Sequence, residues 1–239
     1  MPSSACWRKF KNEHGRRPRK VNRFEDTERF YENLIYSGHT RKYFLKKSRE
    51  QDNSQDNQLA ISRWGSFFDV VAAGDFKLAE EIISLSTDEW VEDGEYEDDF
   101  CYYSFFHRFI KGFEKSDRKL LESILKRFEV WLEGDLSTRF NICQSFYSHD
   151  REVFLEEFHK LIEEREHQIA KQRNTMLAGD ITFEPRSDVF IEGLALLRIA
   201  KKMRFESQPE YKFCSAIAQL EPKEPTPLDI YIEIEKKMR

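Results

Sequence analysis

Apolar positions recur at helical spacing along most of the chain. From Phe24, the residues Phe30, Tyr31, Leu34 and Ile35 mark a helix, and after Gly38 the pattern resumes at Tyr43, Phe44 and Leu45, so this stretch holds one helix or two. Residues 50 to 57, rich in Asp, Asn, Gln and Ser, read as a linker. Leu59 to Ala73 then carries Trp64, Phe67, Phe68 and Val71; Gly74 closes that helix, and Asp75 caps a second one bearing Phe76, Ala79, Ile82 and Ile83. The pair is a helical hairpin. Its turn, Ala72-Ala73-Gly74-Asp75 before Leu78-Ala79, looks tetratricopeptide-like, but no recurrence at about 34 residues follows. Further on, Phe100 to Phe113 presents Phe105, Phe106, Phe109 and Ile110. Ser116 or Asp117 caps a helix through Leu120, Leu121, Ile124, Leu125, Phe128 and Trp131. A shorter helix is expected over 135 to 147, and Asp150 opens a long one through Val153, Phe154, Phe158, Leu161, Ile162 and Ile169.

The segment from 188 to 203 is different, because it is too apolar for a surface helix and must be central. At about 100° per residue its side chains leave a narrow polar arc at Arg198, Lys201 and Lys202, while Glu192 falls among Leu196, Ile199 and Met203 on the apolar side. A buried carboxylate needs a partner. Arg198 lies about 240° away around the helix, so the charge must be met by another helix, by the free amides of the first turn, or by water. A shorter helix is expected from Tyr211 to Ala218. Pro222, Pro225 and Pro227 then break the chain, and Ile230, Ile232 and Ile234 alternate with polar residues, as an extended strand or a frayed helix would.

Composition sharpens this picture. Twenty-one Phe against 9 Gly and 7 Pro favours aromatic packing between long helices with short loops, and 39% hydrophobic content suffices for a sizeable core. The net charge of -5 hides a division. Residues 1 to 50 hold 14 Lys and Arg against 6 Asp and Glu, a net of +8, and the remainder holds 25 against 38, a net of -13. Residues 1 to 23 form a loose basic arm, densest at Arg16-Arg17-Pro18-Arg19-Lys20. Between 88 and 99 stand eight carboxylates and no base. Cys6, Cys101, Cys143 and Cys214 show no zinc or redox spacing and suit a reducing cytoplasm, with three of them in core patterns. Neither a signal peptide nor a membrane span is expected.

Candidate chemistry is sparse. His159, Glu163 and His167 lie at i, i+4 and i+8, with Glu156 and Glu164 three before a histidine, but a di-metal bundle would distribute such motifs over separate helices, so this face reads as solvated. His107 and His149 read as capping or core residues. Phosphate loops, serine elbows and metalloprotease motifs are absent, and no catalytic, cofactor-binding or metal-binding residues are expected. Two segments suit partners. The basic arm, with Trp7, Phe10 and Phe24, has the composition of a nucleic-acid tail. The acidic run, Asp88, Glu89, Trp90, Glu92, Asp93, Glu95, Tyr96, Glu97, Asp98 and Asp99, with Phe100 behind it, suits a basic protein steered by charge and held by aromatic anchors.

The late segment, Phe183-Glu184-Pro185 followed by Glu192-Gly193-Leu194-Ala195-Leu196-Leu197-Arg198-Ile199-Ala200, resembles the immunity-49 family, helical immunity proteins of bacterial polymorphic toxin systems. The likeness extends through Ala72 to Ala79, Arg139 to Tyr147 and Asp150 to Ile162, and so covers roughly residues 56 to 220. It implies a cytoplasmic protein that binds the toxic domain of a cognate effector and blocks its active site, with no catalysis of its own. Glu192, Gly193 and Arg198 are then structural. The expectation is an all-α bundle or array with tetratricopeptide-like hairpins around a central helix at 188–203. Its parts would be a basic arm and one or two helices (1–55), a helical domain (56–220) and a Pro-rich tail (221–239). Alternatives to toxin neutralisation are a helical adaptor for other proteins and nucleic-acid binding through the arm.

Overall fold

The apolar stripes become helices in the computed structural model, which describes residues 23–51, 57–112, 118–175, 179–180 and 183–220. The helices are α1 (Arg23–Glu50), α2 (Ser66–Ala72), α3 (Phe76–Leu85), α4 (Glu97–Lys111), α5 (Arg118–Leu132), α6 (Thr138–Ser148), α7 (Arg151–Arg173), α8 (Phe183–Asp188) and α9 (Ile191–Lys202). Single 3-10 turns lie at Asn57–Leu59 and Ile217–Gln219, and no strand occurs among the described residues. The basic arm, most of the linker, the caps expected at Ser116 or Asp117, and the tail with its strand-or-helix alternative lie outside those residues.

Several helix ends follow local chemistry. The Asp75 carboxylate accepts from Leu78 N, Ser137 Oγ from Phe140 N, and the Asp150 carboxylate from Glu152 N and Val153 N, each satisfying amides that a helix start leaves open. The stretch around Gly38 is one continuous helix. A Cβ at Gly38 would lie 2.0 Å from Val70 Cγ1 and 3.1 Å from Leu78 Cδ2, so the bare glycine is what lets α1 cross α2 and α3 at contact distance. Tyr31, Leu34, Ile35 and Leu45 of α1 join the same hydrophobic core as the later helices.

That core is a chain of rings. Phe68 meets Tyr102 at 5.7 Å, Tyr102 meets Phe106 at 5.1 Å, and Phe106 meets Phe146 at 5.7 Å; the series continues to Phe154 at 4.9 Å and Phe158 at 5.6 Å. Tilted and edge-to-face pairs dominate, the arrangement that ring quadrupoles favour. Helix α9 lies against α2 and α7, and every residue from Gly193 to Ala200 is buried. A Cβ at Gly193 would come within 2.7 Å of Phe190 Cδ1 and 2.8 Å of Cys214 Sγ, so a larger residue there forces one of those side chains to shift.

Four expectations need correcting. Leu59 to Ala73 is not one helix, because Trp64 (φ 75°) and Gly65 (φ 64°) are left-handed and α2 starts only at Ser66. The cause is tertiary: the buried Arg41 guanidinium of α1 donates to the carbonyls of Gln58, Leu59 and Ala60, which a helix would have used internally. The central helix begins at Ile191 instead of 188, since Phe190 is extended and donates its amide to Phe213 O at 2.9 Å. Tyr211 to Ala218 is not a helix but a tight bridge between Tyr211 and Cys214 followed by the 3-10 turn, with Phe213 left-handed (φ 65°) so that its carbonyl meets Phe190. Arg198 is not on a polar arc. It is 7% exposed and donates to Ala72 O, Tyr31 Oη and Leu220 O, tying α9 to α2, α1 and the end of the described chain. Only Lys201 and Lys202 of that arc are exposed.

Candidate functional site

The acidic run divides between a loop and a helix start. Residues 87–96 form the irregular connection from α3 to α4, whereas Glu97, Asp98 and Asp99 occupy the first turn of α4, where carboxylates are stabilised by the free amides and the helix dipole. Neighbouring arginines then claim several of the eight. Arg108 pairs with Asp88 at 2.5 Å, Arg127 Nε donates to Glu97 at 2.7 Å, and Arg139 Nη1 donates to Asp99 at 2.9 Å. Glu95 accepts from Ser62 N at 3.0 Å. The loop backbone is held as well, with Arg63 Nε donating to Gly94 O at 2.6 Å and Trp90 Nε1 to Glu95 O at 3.2 Å.

This corrects the expected partner surface. Phe100 is 5% exposed and belongs to the core. Trp90 is half-buried beneath the Arg127 guanidinium, which lies 5.6 Å from its ring centroid. Tyr96, at 76% exposure, is the aromatic that faces outward. Glu89, Glu92 and Asp93 stay exposed, and Asp98 is half-exposed. Together with Ser62, Arg63, Gly94, Glu95 and Asp99, the residues Glu92, Asp93 and Tyr96 line a shallow cleft of about 490 Å³. The arrangement is a rigid acidic ledge with one projecting phenol.

Behind the ledge lies the partner of Glu192. Arg139 at the start of α6 reaches across with Nε to Oε1 at 3.1 Å and Nη2 to Oε2 at 2.9 Å, while the Tyr102 hydroxyl donates to Oε1 at 2.9 Å. Another helix therefore meets the carboxylate, one of the three solutions open from the sequence. Burial works against the charged guanidinium, but Glu192, Tyr102 and Asp99 override it and raise its pKa further. Burial likewise pushes Asp99 up, against the pull of Arg139. One arginine is thus shared between the ledge carboxylate Asp99 and the part-buried carboxylate Glu192. None of the three arginines that meet ledge acids, Arg108, Arg127 and Arg139, stands at a helical spacing from its partner, so the sequence carries no signal for these pairs.

The described cysteines and histidines are buried, at a helix end or set against their own helices. Cys101, Cys143 and Cys214 are buried free thiols; burial raises Cys101 and Cys214 to about 12 and Cys143 well above its usual value, so all three stay protonated. His107 is buried at the rings of Phe67 and Tyr103 and held down to about 3 by burial, then by Arg108. His149 is the left-handed C-cap of α6 (φ 58°), its ring 5.0 Å from Phe205. His159 and His167 lie on the exposed face of α7, each Nδ1 against its own helix at Leu155 O (2.7 Å) and Glu163 O (2.8 Å). Among the described residues no group of three His, Cys, Asp or Glu could hold a metal, and no helix is long and apolar enough to cross a membrane.

The chain matches no family model, no curated protein and no solved structure.

Proposed function

We propose that this chain is an immunity protein that binds a cognate, basic toxin domain and neutralises it by covering its active site or substrate cleft. The observation that carries the reading is the acidic ledge: exposed Glu89, Glu92 and Asp93 beside a 76% exposed Tyr96, on a loop held at the Glu95 carboxylate by Ser62 and at the Gly94 and Glu95 carbonyls by Arg63 and Trp90. Exposed like charges on a rigid support raise the capture rate of an oppositely charged surface, and a projecting aromatic supplies a contact once docked. The resemblance of the late segment to immunity-49 proteins supplies the class of partner. In this reading the chain works in the cytoplasm of the producing cell, where its buried thiols remain reduced.

The test is association kinetics with a catalytically dead form of the toxin domain that this reading expects in a neighbouring gene. Neutralising Glu89→Gln, Glu92→Gln and Asp93→Asn together is expected to slow association about tenfold at low salt, with the difference shrinking as salt shortens the Debye length to about 8 Å at physiological ionic strength. These three are the informative positions, because Glu95, Glu97 and Asp99 already hold intrachain partners. Equal association rates at every salt concentration would remove the ledge from the account.

A further inference from the structure

The end of α5 and the turn to α6 expose apolar side chains, among them Trp131, which the sequence places on the apolar stripe of α5 and the structure leaves outside the core. Leu136 is 98% exposed, Val130 69% and Trp131 42%. Val130-Trp131-Leu132 occupy consecutive positions on a helix, so they cannot all face one core, and Leu132 is the most buried of the three. The turn beyond them is fixed: Glu133 and Gly134 are left-handed (φ 50° and 95°), and Asp135 N donates to Leu132 O at 2.8 Å.

This corner adjoins the acidic ledge on both of its stems. Arg127, one helical turn or about 6 Å before Trp131, donates to Glu97 at 2.7 Å and covers Trp90. Arg139, three residues after Leu136, donates to Asp99 at 2.9 Å. The corner is itself acidic, with exposed Glu129, Glu133 and Asp135 and no base between 129 and 136. An apolar knob ringed by carboxylates repels a second copy of itself and matches a cationic surface.

We infer that the α5–α6 corner is the apolar anchor of a single interface whose steering half is the acidic ledge, and that its occupant is a basic protein surface with an apolar patch at its centre. The inference rests on the reading that the chain binds a basic toxin domain, and it assigns the two halves different tasks. The ledge sets how fast the complex forms. The corner sets how long it lasts, as buried apolar and aromatic contacts do.

The experiment uses the full chain and the same catalytically dead toxin domain. Val130→Ser combined with Leu136→Ser changes two exposed side chains, so the melting temperature is expected to stay that of the wild type. Dissociation is expected to quicken about tenfold or more while association is unchanged. If the wild type binds and the double variant dissociates at the wild-type rate, the corner is not the anchor, although the toxin-binding reading stands. If the wild type does not bind the toxin domain at any salt concentration, the reading fails and the inference with it. Sedimentation of the chain alone supplies the last arm: a dimer abolished by the double variant would make the occupant a second copy and overturn the assignment to a basic partner.

Discussion

Glu192 is the residue at which sequence and structure meet most closely. Its place on an apolar arc called for a partner if the carboxylate was buried; the structure leaves it part-buried, 16% exposed, and the sequence holds no sign of Arg139, which lies 53 residues earlier on another helix. Such a pairing has no period to read. Arg139→Met should leave Glu192 and Asp99 without their cation, with the Tyr102 hydroxyl still donating to Glu192, and destabilise the fold by about 1–3 kcal/mol, below the cost of a fully buried pair because the arginine side chain is 36% exposed. Denaturant unfolding with an unchanged m-value would measure it, and a loss near zero would show that water replaces the guanidinium. His107 gives a pH signature at the same scale. Its pKa is lowered in the fold to about 3, by burial and then by Arg108 and Arg41 against the pull of Asp88, whereas the unfolded chain titrates near the ordinary value of 6.5. Between these values the unfolded state binds the extra proton, so this contribution to stability is complete above about pH 6.5 and is lost progressively as pH falls towards 3. His107→Phe should flatten the stability profile over that window; an unaltered slope would mean that the imidazole is not the group being titrated.

At the scale of elements, the sequence was most legible where a helix is bounded by its own chemistry. Asp75 and Asp150 sit where the capping rule puts them, and the aromatic stripes of α4 and α7 are buried as their periods require. Legibility failed where a distant group took over the backbone. Arg41 unwinds the stretch before Trp64, and the Phe190–Phe213 contact turns an apparent C-terminal helix into a bridge. The acidic run shows the same limit, because its composition was visible while the arginines that neutralise part of it were not. Close helix crossings make a sharper prediction. Gly193→Ala gains about 1 kcal/mol of helix propensity, yet its Cβ would press on Phe190 and Cys214 at 2.7 and 2.8 Å. Overpacking of about 1–3 kcal/mol should dominate. A lower denaturation midpoint is expected, and a higher one would mean that α9 shifts away at no cost.

At the scale of the whole molecule, the proposed function rests on the exposed carboxylates of the acidic part of the chain. Among the described residues the interior holds rings, thiols and the His107 imidazole together with the Arg41 and Arg198 guanidiniums, and exposed carboxylates stand around Tyr96 and beside Leu136. The function we propose is the occupation of another protein's surface. The most direct measurement is therefore a titration of the active toxin domain with the purified chain, reading residual toxin activity against molar ratio. Steric occlusion predicts a straight loss that reaches zero near one equivalent and returns when the complex is dissociated by high salt. Inactivation that is complete at a small fraction of an equivalent, or a toxin that remains dead after the chain is removed, would contradict it.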